Sequence, residues 1–154
     1  MAEVSILGDI GARALAEARA WIGTPYLHQA SHRGAGTDCL GLVRGVWRAI
    51  HGREPCAVPP YTADWAEPAQ DEVLLRAAGL WLFEVPLTAA RPGDVLVFRM
   101  RAGRIAKHMG LQARVGSDAS FVHAMAGHAV LESPLAEAWQ ARIAGRFRWA
   151  ADPV

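Results

Sequence analysis

From Cys39 onward the apolar residues Leu40, Val43, Val46, Trp47 and Ile50 recur at three- and four-residue spacing, and Gly52 stands where a C-terminal glycine would stop a helix. Beyond Leu80 that spacing is lost. The apolar positions gather instead into short runs, of which Val95-Leu96-Val97-Phe98 follows the turn signal Arg91-Pro92-Gly93-Asp94. A helix-forming front and a strand-forming back, joined by short turns, predict an α+β domain with N-terminal helices packed on one side of a C-terminal antiparallel β-sheet.

The remaining pattern fits that frame. A first helix is expected from Asp9, as its N-cap, to Ile22, with Ile10, Leu15, Ala18, Trp21 and Ile22 near one face. The polar stretch from Thr24 to Cys39, with its Gly and Pro residues, reads as a surface loop. The proline-rich stretch from Glu54 to Pro68 reads as a packing loop, and a third helix should follow Asp71 and Glu72 through Val73, Leu74, Leu75 and Ala78. Apolar runs at 104–113, 120–125, 128–132 and 146–149 are the other expected strands, with a short helix inserted between Pro134 and Arg142.

Composition sets the outer limits. A chain of 154 residues, 52% hydrophobic and 20% charged, has the length of one domain, taken as 1–154, and enough apolar residues for a packed core. Its formal charge of +1 supplies no field favouring nucleic acid, and no stretch approaches the roughly 18 uncharged apolar residues of a membrane span. Neither nucleic acid nor membrane is an expected partner. The start of the chain lacks the apolar run of a signal peptide, so it reads as a mature soluble protein.

Two cysteines allow at most one bridge. Cys39 is the more informative, because it sits between a Gly-rich loop and the first turn of the best-defined helix. Unpaired N–H groups and the positive end of the helix macrodipole favour a thiolate there, and the Cys39 N–H itself can hold an oxyanion. Gly41 is expected to leave room for substrate. The plainer reading is a small buried apolar residue. Cys56, flanked by proline, reads as a structural thiol, and a Cys39–Cys56 bridge would block the proposed nucleophile.

A thiol nucleophile needs a base, and His108 and His123 lie in expected strands, with the fold, not sequence adjacency, bringing thiol and imidazole together. If the two strands pair, one imidazole can hold the other. The plainer reading of each is a satisfied, partly buried histidine. Cys39, His28, His32, His108, His123 and His128 show no tight zinc-ligand spacing, so no metal and no other cofactor is expected.

With these residues in view, the sequence resembles the NlpC-type cell-wall endopeptidases, a bacterial branch of the papain-like fold. The resemblance covers nearly the whole chain in five segments: Trp21 to Tyr26, Thr37 to Val43, Arg91 to Val95, His108 to Leu111 and Phe121 to Ala124. It implies a papain-like NlpC-type fold with Cys39 as nucleophile, His108 as general base and His123 as the residue orienting His108. Asp38 and Tyr26 match positions lining the substrate site. Leu40 stands where many cellular members have Ser, and Met109 where Val is common.

The run from Cys39 to Arg48 looks like the branch of phage-tail and gene-transfer-agent cell-wall peptidases. The resemblance implies a cysteine peptidase cutting peptidoglycan stem peptides, often at the D-γ-glutamyl bond to diaminopimelate. It would be carried on a phage-tail or gene-transfer-agent particle by tail hub or baseplate proteins, made in the bacterial cytoplasm, and would open the target cell wall from the periplasm for DNA delivery. Two alternatives stay open: a structural tail-hub component that keeps the fold, and an amidase or acyltransferase built on it.

Overall fold

The computed structural model describes residues 10–55, 72–101 and 103–151. The expected N-cap Asp9, the thiol Cys56, Asp71 and most of the proline-rich stretch lie outside them. In chain order the elements are α1 (Ile10–Ala20), β1 (Ser31–His32), β2 (Gly36–Thr37), α2 (Cys39–His51), α3 (Val73–Trp81), β3 (Phe83–Val85), β4 (Val95–Arg99), β5 (Ala106–Gln112), β6 (Ser120–Met125), β7 (His128–Pro134), α4 (Glu137–Gln140) and β8 (Ile143–Arg148).

The expected α+β frame is the observed one. An antiparallel sheet with strand order β3-β8-β4-β5-β6-β7 carries α1, α2 and α3 over one face. Alternation along the strands explains this, since successive side chains point to opposite faces. Val95, Val97, Met109, Leu111, Val122 and Ala124 join the buried residues of the helices. Leu96, Phe98 and Phe121 point the other way and meet Leu135, Trp139 and Ile143 in a second, smaller cluster. The sheet is thus covered on both faces, more heavily on the helical one.

Helix α2 forms where its apolar period and both its caps agree. Asp38 is extended and caps the start, and Gly52, at φ 83°, ends it with its N–H bonded to the Arg48 carbonyl. Leu42 and Val46 are fully buried, each contributing about 2 kcal/mol of apolar transfer free energy. Trp47 packs between Trp81 of α3 and Trp149 after β8, at ring-centroid distances of 5.2 and 6.2 Å. Gly45 lets α1 approach: a Cβ there would lie 2.1 Å from the Trp21 ring.

Three local features depart from the sequence reading. The loop from Thr24 to Cys39 contains the ribbon β1–β2, with Ser31 opposite Thr37. Strand β3 pairs with β8, Glu84 opposite Phe147. Strand β8 begins at Ile143, before the expected 146, because its register with β4 shifts between Val97 and Phe98 and lets Ile143 pair with Phe98.

The end of the sheet away from Cys39 is held by a buried ionic cluster. Asp94 is 1% exposed. Its carboxylate accepts from Arg146 at 2.9 Å, from Arg148 at 2.8 Å and from the Arg91 backbone N–H at 3.0 Å. The Arg91-Pro92-Gly93-Asp94 turn therefore serves the scaffold, and Gly93, at φ 90°, lies so close to Gly11 that a Cβ would fall 2.0 Å from the Gly11 carbonyl oxygen.

Candidate active site

The start of α2 is built by the loop before it. Asp38 is 2% exposed and spends both carboxylate oxygens on backbone donors: Oδ1 accepts from Gly41 N–H at 2.7 Å and Oδ2 from Gln29 N–H at 2.8 Å. Gln29 takes the left-handed conformation, φ 66°, that aims this N–H at Asp38. Gly41 does not leave space for substrate, as the sequence suggested. A Cβ there would lie 1.9 Å from the Ala30 carbonyl oxygen, so glycine is what lets the loop lie against the helix.

Cys39 is a free thiol, 7% exposed, at the head of that helix. Its pKa is pushed up to about 12, first by burial and then by the Asp38 carboxylate, while the backbone N–H groups of Met109, Leu40 and Cys39 pull the other way. This corrects the expectation that a helix start makes the thiol acidic. The N–H groups are present, but burial together with an adjacent carboxylate outweighs them. Burial and the carboxylate both favour the protonated thiol. Among its amide neighbours, that of Met109 comes from β5 and was not foreseen in the sequence.

The histidines come from neighbouring strands. Gly110 of β5 lies opposite His123 of β6, and His108 Nε2 is 2.9 Å from His123 Nδ1. His123 Nε2 is in turn 2.9 Å from Ser133 Oγ of β7. Burial, reinforced by the neighbouring imidazole of His123, pushes His108 down to about 3. Burial and then His128 push His123 down to about 4. Both rings are neutral near pH 7. Phe121 stacks on His123 with centroids 4.1 Å apart, and Trp139 lies 5.7 Å from His108. Ser133 and Trp139 follow the last motif segment, and no sequence signal marked them.

Cys39, from the helix side, and His108, from the sheet side, line one cleft of about 200 Å³ together with Tyr26, Asp38, Lys107 and Met125. His123 sits behind His108. Tyr26 is held beside Thr37 by a parallel bridge, and its hydroxyl pKa is raised by burial, then by Asp38 and Cys39. Thiol and imidazole share the cleft without a hydrogen bond between them, a separation common in empty sites. A protonated thiol, a neutral imidazole with a fixed partner behind it, and backbone N–H groups at the sulfur are the parts that acyl transfer requires.

An α+β frame carrying a helix-start thiol and a strand-borne imidazole in one cleft defines the chain as a candidate thiol hydrolase. The chain belongs to the NlpC/P60 family, whose sequence pattern matches residues 23–148. Its fold is shared with the NlpC/p60 domain of the peptidoglycan hydrolase SagA, at 23% identity and a TM-score of 0.57 over 90% of this chain and 97% of that one. An NLP/P60-family protein of Staphylococcus aureus, similar to a lipoprotein, gives 20% identity and a TM-score of 0.59 over 91% of this chain and 41% of that one. The peptidoglycan hydrolase RipB of Mycobacterium tuberculosis gives 18% identity and 0.57 over 92% and 65%. The chain therefore spans less than two thirds of the Staphylococcus aureus and Mycobacterium tuberculosis proteins. No curated protein sequence matches it.

Proposed function

We propose that the chain is a cysteine endopeptidase that hydrolyses peptidoglycan stem peptides with Cys39 as nucleophile, His108 as general base and His123 as the residue holding His108. One observation carries the reading: Cys39 and His108 line the same cleft, and the second nitrogen of His108 is already engaged by His123. Membership of a family whose solved relatives include peptidoglycan hydrolases supports the substrate class. The finer bond assignment, D-γ-glutamyl to diaminopimelate, rests on the motif resemblance alone.

Burial raises the thiol pKa and lowers that of the imidazole, which favours the neutral pair at rest and proton transfer in concert with attack. The thiol proton passes to His108 Nδ1 as sulfur bonds to the peptide carbonyl carbon, and the oxyanion forms within reach of the Cys39 N–H. The C–N bond then breaks, and the amine leaves with the proton from His108. Water attacks the thioester, giving its proton to His108. The C–S bond breaks, and sulfur regains a proton as the carboxylic product departs. Asp38, with both oxygens occupied by backbone N–H groups, acts on this reaction by shaping the loop and through its charge. Tyr26 faces the substrate side.

We propose further that the chain works as a wall-opening enzyme on a phage-tail or gene-transfer-agent particle, docked to hub or baseplate proteins. The support is the likeness of the segment from Cys39 to Arg48 to that branch. Digestion of purified peptidoglycan followed by mass spectrometry of the fragments tests the catalytic reading. The parent chain should release shortened stem peptides and Cys39→Ala none. Release by Cys39→Ala at the parent rate would reject the nucleophile.

A further inference from the structure

The imidazole pair has two self-consistent hydrogen-bond directions. In one, His108 Nε2–H donates to His123 Nδ1 and His123 Nε2–H donates to the Ser133 oxygen, leaving His108 Nδ1 bare. In the other, Ser133 O–H donates to His123 Nε2, His123 Nδ1–H donates to His108 Nε2, and His108 carries its own proton on Nδ1. His108 Nε2 is engaged in both. Only the first direction leaves a ring nitrogen able to receive a proton from Cys39.

Ring position is already fixed by other contacts. His123 is 2% exposed. Phe121 stacks on it at an interplanar angle of 24°, and Trp139 meets it edge-on with centroids 5.5 Å apart. On the cross-strand side, a Cβ on Gly110 would come 2.9 Å from the Phe121 ring and 3.0 Å from His123 Cβ, so the glycine lets β5 lie close against these two residues. With the ring held, what Ser133 can still decide is where the protons sit.

We propose that Ser133 is a positioning residue whose hydroxyl oxygen, by accepting from His123 Nε2–H, selects the tautomer of His108 that can take the Cys39 proton. The inference rests on the reading of Cys39 and His108 as nucleophile and base. Without the Ser133 oxygen, the competent direction leaves a buried N–H unpaired, whereas the other direction loses only a donor to a ring nitrogen. Orphaned buried N–H groups are the less tolerated of the two. The population therefore moves towards the tautomer that cannot act as base.

The test uses the full chain with isotope-labelled histidine, alongside Ser133→Ala and Ser133→Thr, with proton–nitrogen correlation spectra reading the tautomer of each ring. Two rates are measured in parallel: peptidoglycan cleavage, and alkylation of Cys39 by iodoacetamide followed by peptide mapping. In the parent chain, His108 should carry its proton on Nε2. Ser133→Ala should gain the Nδ1–H form, lose about tenfold in kcat at unchanged KM, and slow alkylation of Cys39 in parallel. Ser133→Thr, which keeps the hydroxyl, should restore all three. A parent His108 protonated on Nδ1, or a Ser133→Ala chain with unchanged tautomer and alkylation rate, would overturn the proposal. If the parent chain fails to cut peptidoglycan while tautomer and alkylation shift as expected, the substrate reading falls and the role of Ser133 stands.

Discussion

Asp38 and Asp94 are both almost fully buried, at 2% and 1% exposure, and the chain treats them in opposite ways. Asp94 is neutralised by two guanidinium groups, Arg146 and Arg148, besides a backbone N–H. Asp38 accepts from the backbone N–H groups of Gly41 and Gln29, with the exposed His28 imidazole 3.8 Å away. Full ionic pairing makes a fixed joint. Backbone donors satisfy the lone pairs of a carboxylate but leave more of its charge to be felt nearby, and the Cys39 thiol and the Tyr26 hydroxyl both feel it, since that charge helps to raise their pKa values. The same residue type thus serves as scaffold at one end and as an electrostatic setting at the other.

The scaffold end should be the costlier to break. Asp94→Ala leaves Arg146, only 3% exposed, and Arg148 without their carboxylate. Uncompensated buried charge of this kind costs about 3–5 kcal/mol, and urea unfolding should show a loss of that size. Alkylation of Cys39 in the molecules still folded should be unchanged. A loss below about 1 kcal/mol would mean that the guanidinium pair does not hold this end of the sheet.

Acid should weaken the site end through its histidines. An ordinary imidazole titrates at 6.5, whereas His123 and His108 are held down to about 4 and about 3. Below pH 6.5 the unfolded chain therefore binds protons that the folded chain refuses. Stability is fully present above that pH and falls as the pH drops towards the folded values, by on the order of 1 kcal/mol per pH unit for each ring. Melting temperatures measured from pH 6.5 to about pH 4 should decline, and His123→Asn should flatten part of the slope. A profile identical in parent and variant would show that His123 is not the group being titrated.

What the sequence made legible follows the same division between local and non-local causes. Helix α2 could be read because its period, the Asp38 cap and the terminal Gly52 are all written within fifteen residues. The ribbon β1–β2 and the strand β3 have only two or three residues each, too few for alternation to register. Strand β8 hid its start because Ile143, Ala144 and Gly145 enter the sheet through a register shift against β4, which no local alternation announces. Cys39, His108 and His123 stood out by helix position and motif. The direction of the Cys39 pKa did not, because burial depth depends on how β5 and α2 meet. Ser133 was illegible for a related reason. It pairs in register with Phe121, and it reaches His123 diagonally across a ladder whose register shifts just beyond that residue.

The smallest expected effect separates the two ways of burying a carboxylate most directly. In Asp38→Asn the side-chain oxygen can still cap Gly41 N–H, but the amide NH₂ then faces the Gln29 N–H, and one hydrogen bond is lost. The cost should be about 1 kcal/mol, well below that at Asp94. The substitution also removes the negative charge beside the thiol while leaving the burial in place. Cys39 alkylation followed against pH should therefore show its midpoint moving down from about 12 but staying above the ordinary 9.0, because burial is the larger of the two causes. An unmoved midpoint would mean that the Asp38 charge is not felt at the sulfur. A midpoint falling below 9.0 would mean that the carboxylate had been hiding a helix-start effect strong enough to make the thiol acidic.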